Sequence, residues 1–204
     1  MVDATVKEAV VARISLNPPR TLRYRLCAWM VRRKFGKELD PMRAMGHHMG
    51  VFAAYGMLES QVLRWKALPH RLKDLAVMAA AVHVGCEWCV DFGTWEANTH
   101  GIPLAKLEAV PHWRDSDLFT EEERLVMEYA EAMTADPPRV TDELTEALRR
   151  HLDERQLVEL TMLVAVENLR SRFNLAAGLV GQGFKDRCEI PAGRTAGQAA
   201  KGAI

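Results

Sequence analysis

Wherever this sequence shows a period, the period is helical. Apolar residues recur three and four apart along most of its length, and no stretch alternates with the two-residue spacing of a half-buried strand. A chain patterned this way buries its stripes helix against helix, so the sequence predicts an all-α bundle. With 204 residues, 49% of them hydrophobic, it is long enough for one compact core and a small appendage.

Start and stop signals divide the pattern. Residues 3–14 form a short amphipathic stretch closed by Asn17-Pro18-Pro19, and 21–35 read as a helix ending at Gly36. Asp40-Pro41 supplies an N-cap followed by proline at the first helical position. The helix it opens is expected to run to about Trp65, with Met45, Met49, Phe52, Ala53, Met57 and Leu58 on its apolar side. Residues 70–84 are Ala- and Leu-rich and apolar nearly all round after Leu75, as suits a buried central helix. Gly85 ends that helix and a CxxC opens the next, which runs to His100 before Gly101. Thr120 with Glu123, and Asp153 with Gln156, form capping boxes for helices over 121–134 and from 154 to about Leu179. Thr141 caps a shorter helix to about His151. Three units result: an N-terminal helical extension packed on the core (1–39), a helical domain (40–184) and a flexible C-terminal tail (185–204).

Twenty-seven basic and 27 acidic residues cancel, which gives no electrostatic reason to expect nucleic acid. The basic run Arg20, Arg23, Arg25, Arg32, Arg33, Lys34, Lys37 reads as a solvated helix face or a subunit contact ahead of an anion- or membrane-surface role. No apolar run approaches the ~20 residues that span a bilayer. The start lacks the basic-then-apolar order of a signal peptide. A cytoplasmic protein is expected.

Cys27 and Cys188 stand alone, whereas Cys86 and Cys89 are two residues apart. In a reducing compartment such a pair is catalytic or metal-binding more often than a permanent staple. Gly85 places Cys86 at or beside the N-cap and Cys89 within the first turn, where Cα atoms three apart sit about 5–5.5 Å from each other, inside disulfide reach. Unpaired N–H groups and the positive dipole end there favour thiolate, the nucleophilic form. The alternatives are a zinc site, for which the chain has no second CxxC or HxxxH, and two inert buried cysteines. Covalent haem would need a histidine after Cys89, where Val90 stands. Neither a metal nor an organic cofactor is expected.

The stretch RLKDLAVMAAAVHVGCEWCVDFGTWEANTHGIPLAKLEAV, and the later FTEEERLVMEYAEAMTADPPRVTDELTEALRRHLDERQLVELTMLVAVENLRSRFNLAAGL, resemble the carboxymuconolactone decarboxylase-like superfamily in its alkylhydroperoxidase D (AhpD) branch. The resemblance covers roughly residues 40–180. It implies an AhpD-like helical bundle with a central antiparallel hairpin that carries the CxxC at the N-terminus of its second helix. It also implies a homo-oligomer (dimer, trimer or hexamer) that reduces a small hydroperoxide or disulfide and is reset by an external dithiol. Members activate the second cysteine through a glutamate–histidine relay; here Asp74 stands at the glutamate position and Gly93 at the histidine position. By this likeness Cys89 attacks, Cys86 resolves, and Asp74 belongs to the relay.

In an antiparallel hairpin turning at Gly85, Asp74 lies ~16 Å and Gly93 ~13 Å below the turn. Both are smaller than the pattern they replace, which predicts a small cavity for water or substrate. Glu96 shares the helix face of Gly93 and Cys89 and is the leading substitute acid/base, against a solvated side chain. His83, three before Cys86, and His48 on the preceding helix are further acid/base candidates, against simple packing. Trp88, Phe92 and Trp95 surround the pair as core or subunit packing, or else as a substrate wall. Two other functions stay open: a same-fold enzyme acting on a lactone or small carbonyl compound with passive cysteines, and a non-enzymatic redox sensor.

Overall fold

The computed structural model describes residues 12–188. It is all-helical, with no strand among those residues: α1 (Leu22–Phe35), α2 (Asp40–Met45), α3 (Met49–Val62), α4 (His70–Val84), α5 (Glu87–Thr99), α6 (Leu104–Glu108), a 3-10 segment (Val110–Asp115), α7 (Glu121–Thr134), α8 (Asp142–Arg149), α9 (Glu154–Ala176) and a last 3-10 turn (Lys185–Arg187). The expected all-α architecture is the observed one.

α4 is the axle of the bundle. Leu72, Leu75, Ala76, Met78, Ala79, Ala80 and Ala81 are all buried, and α5, α7 and α9 pack around them. The alanines let three neighbours approach one helix closely, while Val126, Met127, Ala130, Leu160 and Val164 fill the space from α7 and α9. α7 and α9 begin where the sequence places them: both capping boxes form, at Thr120–Glu123 and Asp153–Gln156.

The α4–α5 hairpin turns within two residues. Gly85 adopts φ 78° and its N–H returns to Ala81 and Val82, while the N–H of Cys86 also bonds Ala81 O, so the end of α4 is satisfied without a loop. A side chain at φ 78° would be strained, so glycine fixes where α4 stops and Cys86 becomes the N-cap.

The single helix expected from Asp40 to Trp65 is instead two. α2 ends at Met45, and His48 restarts the chain as an N-cap whose Nδ1 accepts the N–H of Val51 at 3.2 Å. Gly46 sits under the ring of Tyr24 from α1, where an added Cβ would come within 2.6 Å of the ring, so the break follows a tertiary contact. Of the amphipathic stretch 3–14, residues 3–11 lie outside the described residues and 12–14 are not helical.

Residues 12–39 lie on the core: Tyr24 and Ala28 are fully buried, and Phe35 packs edge-on to Phe92 and Trp95. The basic run is drawn inward in part, with Arg20 and Arg32 both paired to Glu38. At the other end, residues 185–188 are anchored rather than loose: Asp91 Oδ1 accepts the N–H of Lys185 at 2.7 Å and Arg187 donates to Phe35 O at 2.8 Å. The remainder of the expected tail lies outside the described residues.

Candidate active site

Cys86 caps α5 with its sulfur, which accepts the N–H of Cys89 at 3.2 Å. The two Sγ atoms are in bonding contact across Cα atoms 5.3 Å apart. A cysteine at an N-cap with another three residues on gives this geometry from the helix alone. Cys86 is fully buried and Cys89 is 5% exposed. Leu16, Phe173, Ala177 and Leu179 close over the pair. Arg13 holds that cover down, its N–H donating to Ala177 O at 2.8 Å and its guanidinium to Leu175 O at 2.7 Å.

Polar groups reach the sulfurs from α9. Asn174 Nδ2 donates to Cys89 Sγ at 3.3 Å and lies 3.9 Å from Cys86 Sγ. Ser171 Oγ is 3.3 Å from Cys89 Sγ and 2.9 Å from Glu167 Oε1. Asn174 Oδ1 is buried and has no partner among the described residues. Behind Ser171 lies an ionic cluster. Arg170 donates to both oxygens of Glu59, at 2.8 and 2.6 Å, and to Glu167 at 3.3 Å. Burial pushes the Glu167 carboxyl up to about 7, although Arg170 and Ser171 oppose the rise. Burial acts on Glu59 in the same sense, but the bidentate Arg170 overrides it and holds that carboxyl below its usual range.

The other expected groups sit elsewhere. Asp74 pairs with His100 Nδ1 at 2.9 Å, at the open end of the hairpin, and burial raises its pKa. Glu96 is half-buried, and burial raises its carboxyl, with Arg170 countering that and Asp74 adding to it. His83 is exposed, and His48 serves as the cap of α3. The cavity expected beside Gly93 is filled: an added Cβ there would lie 2.9 Å from Met78 Sδ. Trp88 and Phe92 stack at 5.1 Å, and Phe92 also meets Phe35, Trp95 and Phe184, so these rings join α5 to α1 and the C-terminal segment.

Glu167, Ser171 and Asn174 were not among the expected site residues. Their signal is a periodic one: the stripe Leu157, Leu160, Val164 on α9 continues at helical spacing into Glu167, Ser171, Asn174. A buried stripe that turns polar over its last two turns marks a place where polar groups have a task or a partner.

The model of the carboxymuconolactone decarboxylase family matches residues 50–132. The uncharacterized protein YnjA of Escherichia coli K12 is 37% identical over 169 residues, spanning 82% of this chain and 91% of YnjA. A solved structure from Agrobacterium tumefaciens, a protein of unknown function described as a candidate antioxidant defence protein AhpD, superimposes with a TM-score of 0.62 at 26% identity, over 65% of this chain and 91% of that one. The chain belongs to the carboxymuconolactone decarboxylase family, in its AhpD-like branch. The AhpD-like fold extends to a debrominase, Bmp8, with a TM-score of 0.74 at 20% identity over 84% of this chain and 94% of Bmp8. A cysteine-to-alanine variant of Bmp8 is solved in complex with 2,3,4-tribromopyrrole. In this AhpD-like chain the side chains that contact the cysteine pair with polar atoms come from α9, and Met78 lies against Gly93, the glycine at the position that the resemblance assigns to histidine.

Proposed function

We propose that the chain is a thiol-dependent peroxidase or disulfide oxidoreductase in which Cys89 attacks and Cys86 resolves. The observation that carries this reading is the pair itself: two sulfurs in bonding contact at a helix N-terminus, one of them facing a serine and an asparagine from a third helix. The Cys89 thiolate attacks the terminal oxygen of a hydroperoxide, so an S–O bond forms, the O–O bond breaks and an alcohol leaves with a proton. Cys86 then attacks the sulfenic sulfur, forming the S–S bond and releasing water. Two exchange steps with an external dithiol restore the thiols. The difference in exposure, with Cys86 sealed and Cys89 slightly open, favours Cys89 as the group that meets the oxidant. Asn174 Oδ1 offers an acceptor for the hydroxyl of the incoming hydroperoxide.

Met78 occupying the space beside Gly93 weighs against a lactone or carbonyl substrate held there with passive cysteines. The debrominase in the same fold makes a bromopyrrole a useful second oxidant to try beside hydroperoxides.

The active form is a cytoplasmic homo-oligomer in this reading. No side chain of α3 is fully buried within the chain; Met57 is 66% exposed on it and Leu63, just past its end, 65%, and Val158 on α9 is 65% exposed as well. Apolar surface on that scale is suited to a second copy. No helix among the described residues is long and apolar enough to cross a membrane.

The reduced protein should lose two thiols per hydroperoxide consumed, and Cys89→Ser should abolish consumption. Retention of full turnover in Cys89→Ser would remove the proposal.

A further inference from the structure

Resting on that reading, we propose that Ser171 is a catalytic proton carrier that connects the Cys89 thiol to the buried Glu167 carboxylate. The α9 groups thereby do what a glutamate–histidine relay would do, from a different helix.

The Ser171 hydroxyl has one proton and two neighbours. Ser171 Oγ is 2.9 Å from Glu167 Oε1 and 3.3 Å from Cys89 Sγ. A serine hydroxyl donates once and accepts through its lone pairs. When Glu167 is ionised its oxygen takes the Ser171 proton, and the hydroxyl turns a lone pair towards Cys89. A disulfide sulfur has nothing to give that lone pair, but a thiol does. When Glu167 is protonated the polarity reverses: the carboxyl donates to Ser171, and Ser171 donates to a thiolate. The chain therefore has two hydrogen-bonded states that differ by the transfer of one proton from sulfur to carboxyl. Both are fully paired along Cys89–Ser171–Glu167, as a buried polar chain must be to be tolerated.

Three features fit this role. Asn174 donates to Cys89 Sγ at 3.3 Å in either state and so favours the thiolate once the proton has left. Arg170 spends its bidentate face on Glu59 and gives Glu167 a single longer contact of 3.3 Å, so Glu167 is left able to change charge. The groups that set that charge are Arg170 on its own helix and Ser171, with Glu59 and Tyr55 from α3; Cys89 and Glu96 face the cluster from α5. Burial brings Glu167 to about 7, close to a working pH at which it can both take and return a proton.

In the peroxidase step the balance is as follows. The Cys89 proton passes to Ser171 Oγ while the Ser171 proton passes to Glu167. The thiolate attacks the terminal peroxide oxygen, the O–O bond breaks, and the leaving alkoxide takes the stored proton back along the same path. No other acid or base is required.

The test uses the full-length, fully reduced protein and two readouts over pH 5–9: thiolate absorbance at 240 nm, which needs no oxidant, and the rate of oxidation by cumene hydroperoxide. Glu167→Gln and Ser171→Ala should each flatten the pH dependence near 7 and slow oxidation at pH 7 by about 100-fold, the low end of what positioned proton transfer contributes. Ser171→Thr, which keeps the hydroxyl, should restore most of the rate. If wild-type protein reacts with the hydroperoxide but both variants keep its pH profile, the relay is refuted and the thiol peroxidase stands. If wild-type protein does not react, the functional reading fails, and the 240 nm titration decides the relay alone: a thiolate transition that moves in Ser171→Ala supports it, and one that does not overturns it. Ser171→Ala removes one oxygen from a helix interior and guards against misreading a Glu167 variant that folds poorly.

Discussion

Replacing Glu167 by glutamine tests whether a carboxyl is buried at the price the structure implies. In the oxidised protein, with no thiolate present, the Glu167 carboxyl is carried from its ordinary 4.5 to about 7, chiefly by loss of water. At ~1.36 kcal/mol per pH unit, that rise amounts to about 3 kcal/mol. The sign follows from proton linkage. Between 4.5 and about 7 the folded chain holds a proton that the unfolded chain has released, so stability falls as pH rises through that window. The stabilising share is whole below 4.5 and gone above about 7. Glu59 has the opposite sign, being held below its usual range, and its share is lost only as pH falls. Asp74 and Glu96 are also raised by burial and add to the decline, so the wild-type slope alone is not diagnostic. The diagnostic quantity is the difference between wild type and Glu167→Gln. Urea unfolding of both oxidised proteins at pH 5 and pH 8 should show the wild type losing about 2–3 kcal/mol more than the variant over that interval. Equal losses would mean that Glu167 is not a desolvated, titrating group, and the reasoning about its surroundings would be wrong.

Three other outcomes follow from the same packing. Arg170→Met leaves Glu59 and Glu167 without their shared cation and should cost about 3 kcal/mol, read by thermal unfolding; an unchanged Tm would contradict the ionic cluster. Gly93→His should destabilise by about 1–3 kcal/mol in urea, because Met78 already fills the space; Met78→Ala in the same chain should recover part of the loss, and a neutral Gly93→His would place the sulfur elsewhere. Arg13→Ala with Leu16→Ala removes the guanidinium bond to Leu175 O and the Leu16 packing that hold the cover over the cysteines, while leaving the backbone bond to Ala177 O, and lowers the cost of local opening by on the order of 1–2 kcal/mol. Reduction of the disulfide by dithiothreitol should then accelerate about tenfold, and an unchanged rate would show that oxidants and reductants enter by another route.

Much of the fold could be read from local chemistry because local chemistry determines it. The capping boxes at Thr120 and Asp153, the left-handed glycines Gly36 and Gly85, and the Ala-rich stripe of α4 act within one or two turns, so their effects are written next to their causes. The break at Gly46 is different. It exists because a tyrosine twenty-two residues earlier folds back over that glycine, and no local period records such a contact. The site divides in the same way. The spacing of Cys86 and Cys89 on one helix turn gave their geometry directly. Asp74 and Glu96 share the hairpin, but their height along it puts them near His100, and only the packing of α9 against α5 brings Ser171 and Asn174 to the sulfurs. The polar turn at the end of the α9 stripe was visible; its partner across the helix interface was not.

The central claim is that Cys89 receives the oxidant and Cys86 closes on it. Treating reduced Cys86→Ser with one equivalent of cumene hydroperoxide, trapping with dimedone and mapping the peptides by mass spectrometry tests it in one step. The adduct should appear on Cys89, while wild-type protein treated alike should show a Cys86–Cys89 disulfide and no adduct. An adduct confined to Cys27 or Cys188, or none in Cys86→Ser despite an intact fold, would contradict it.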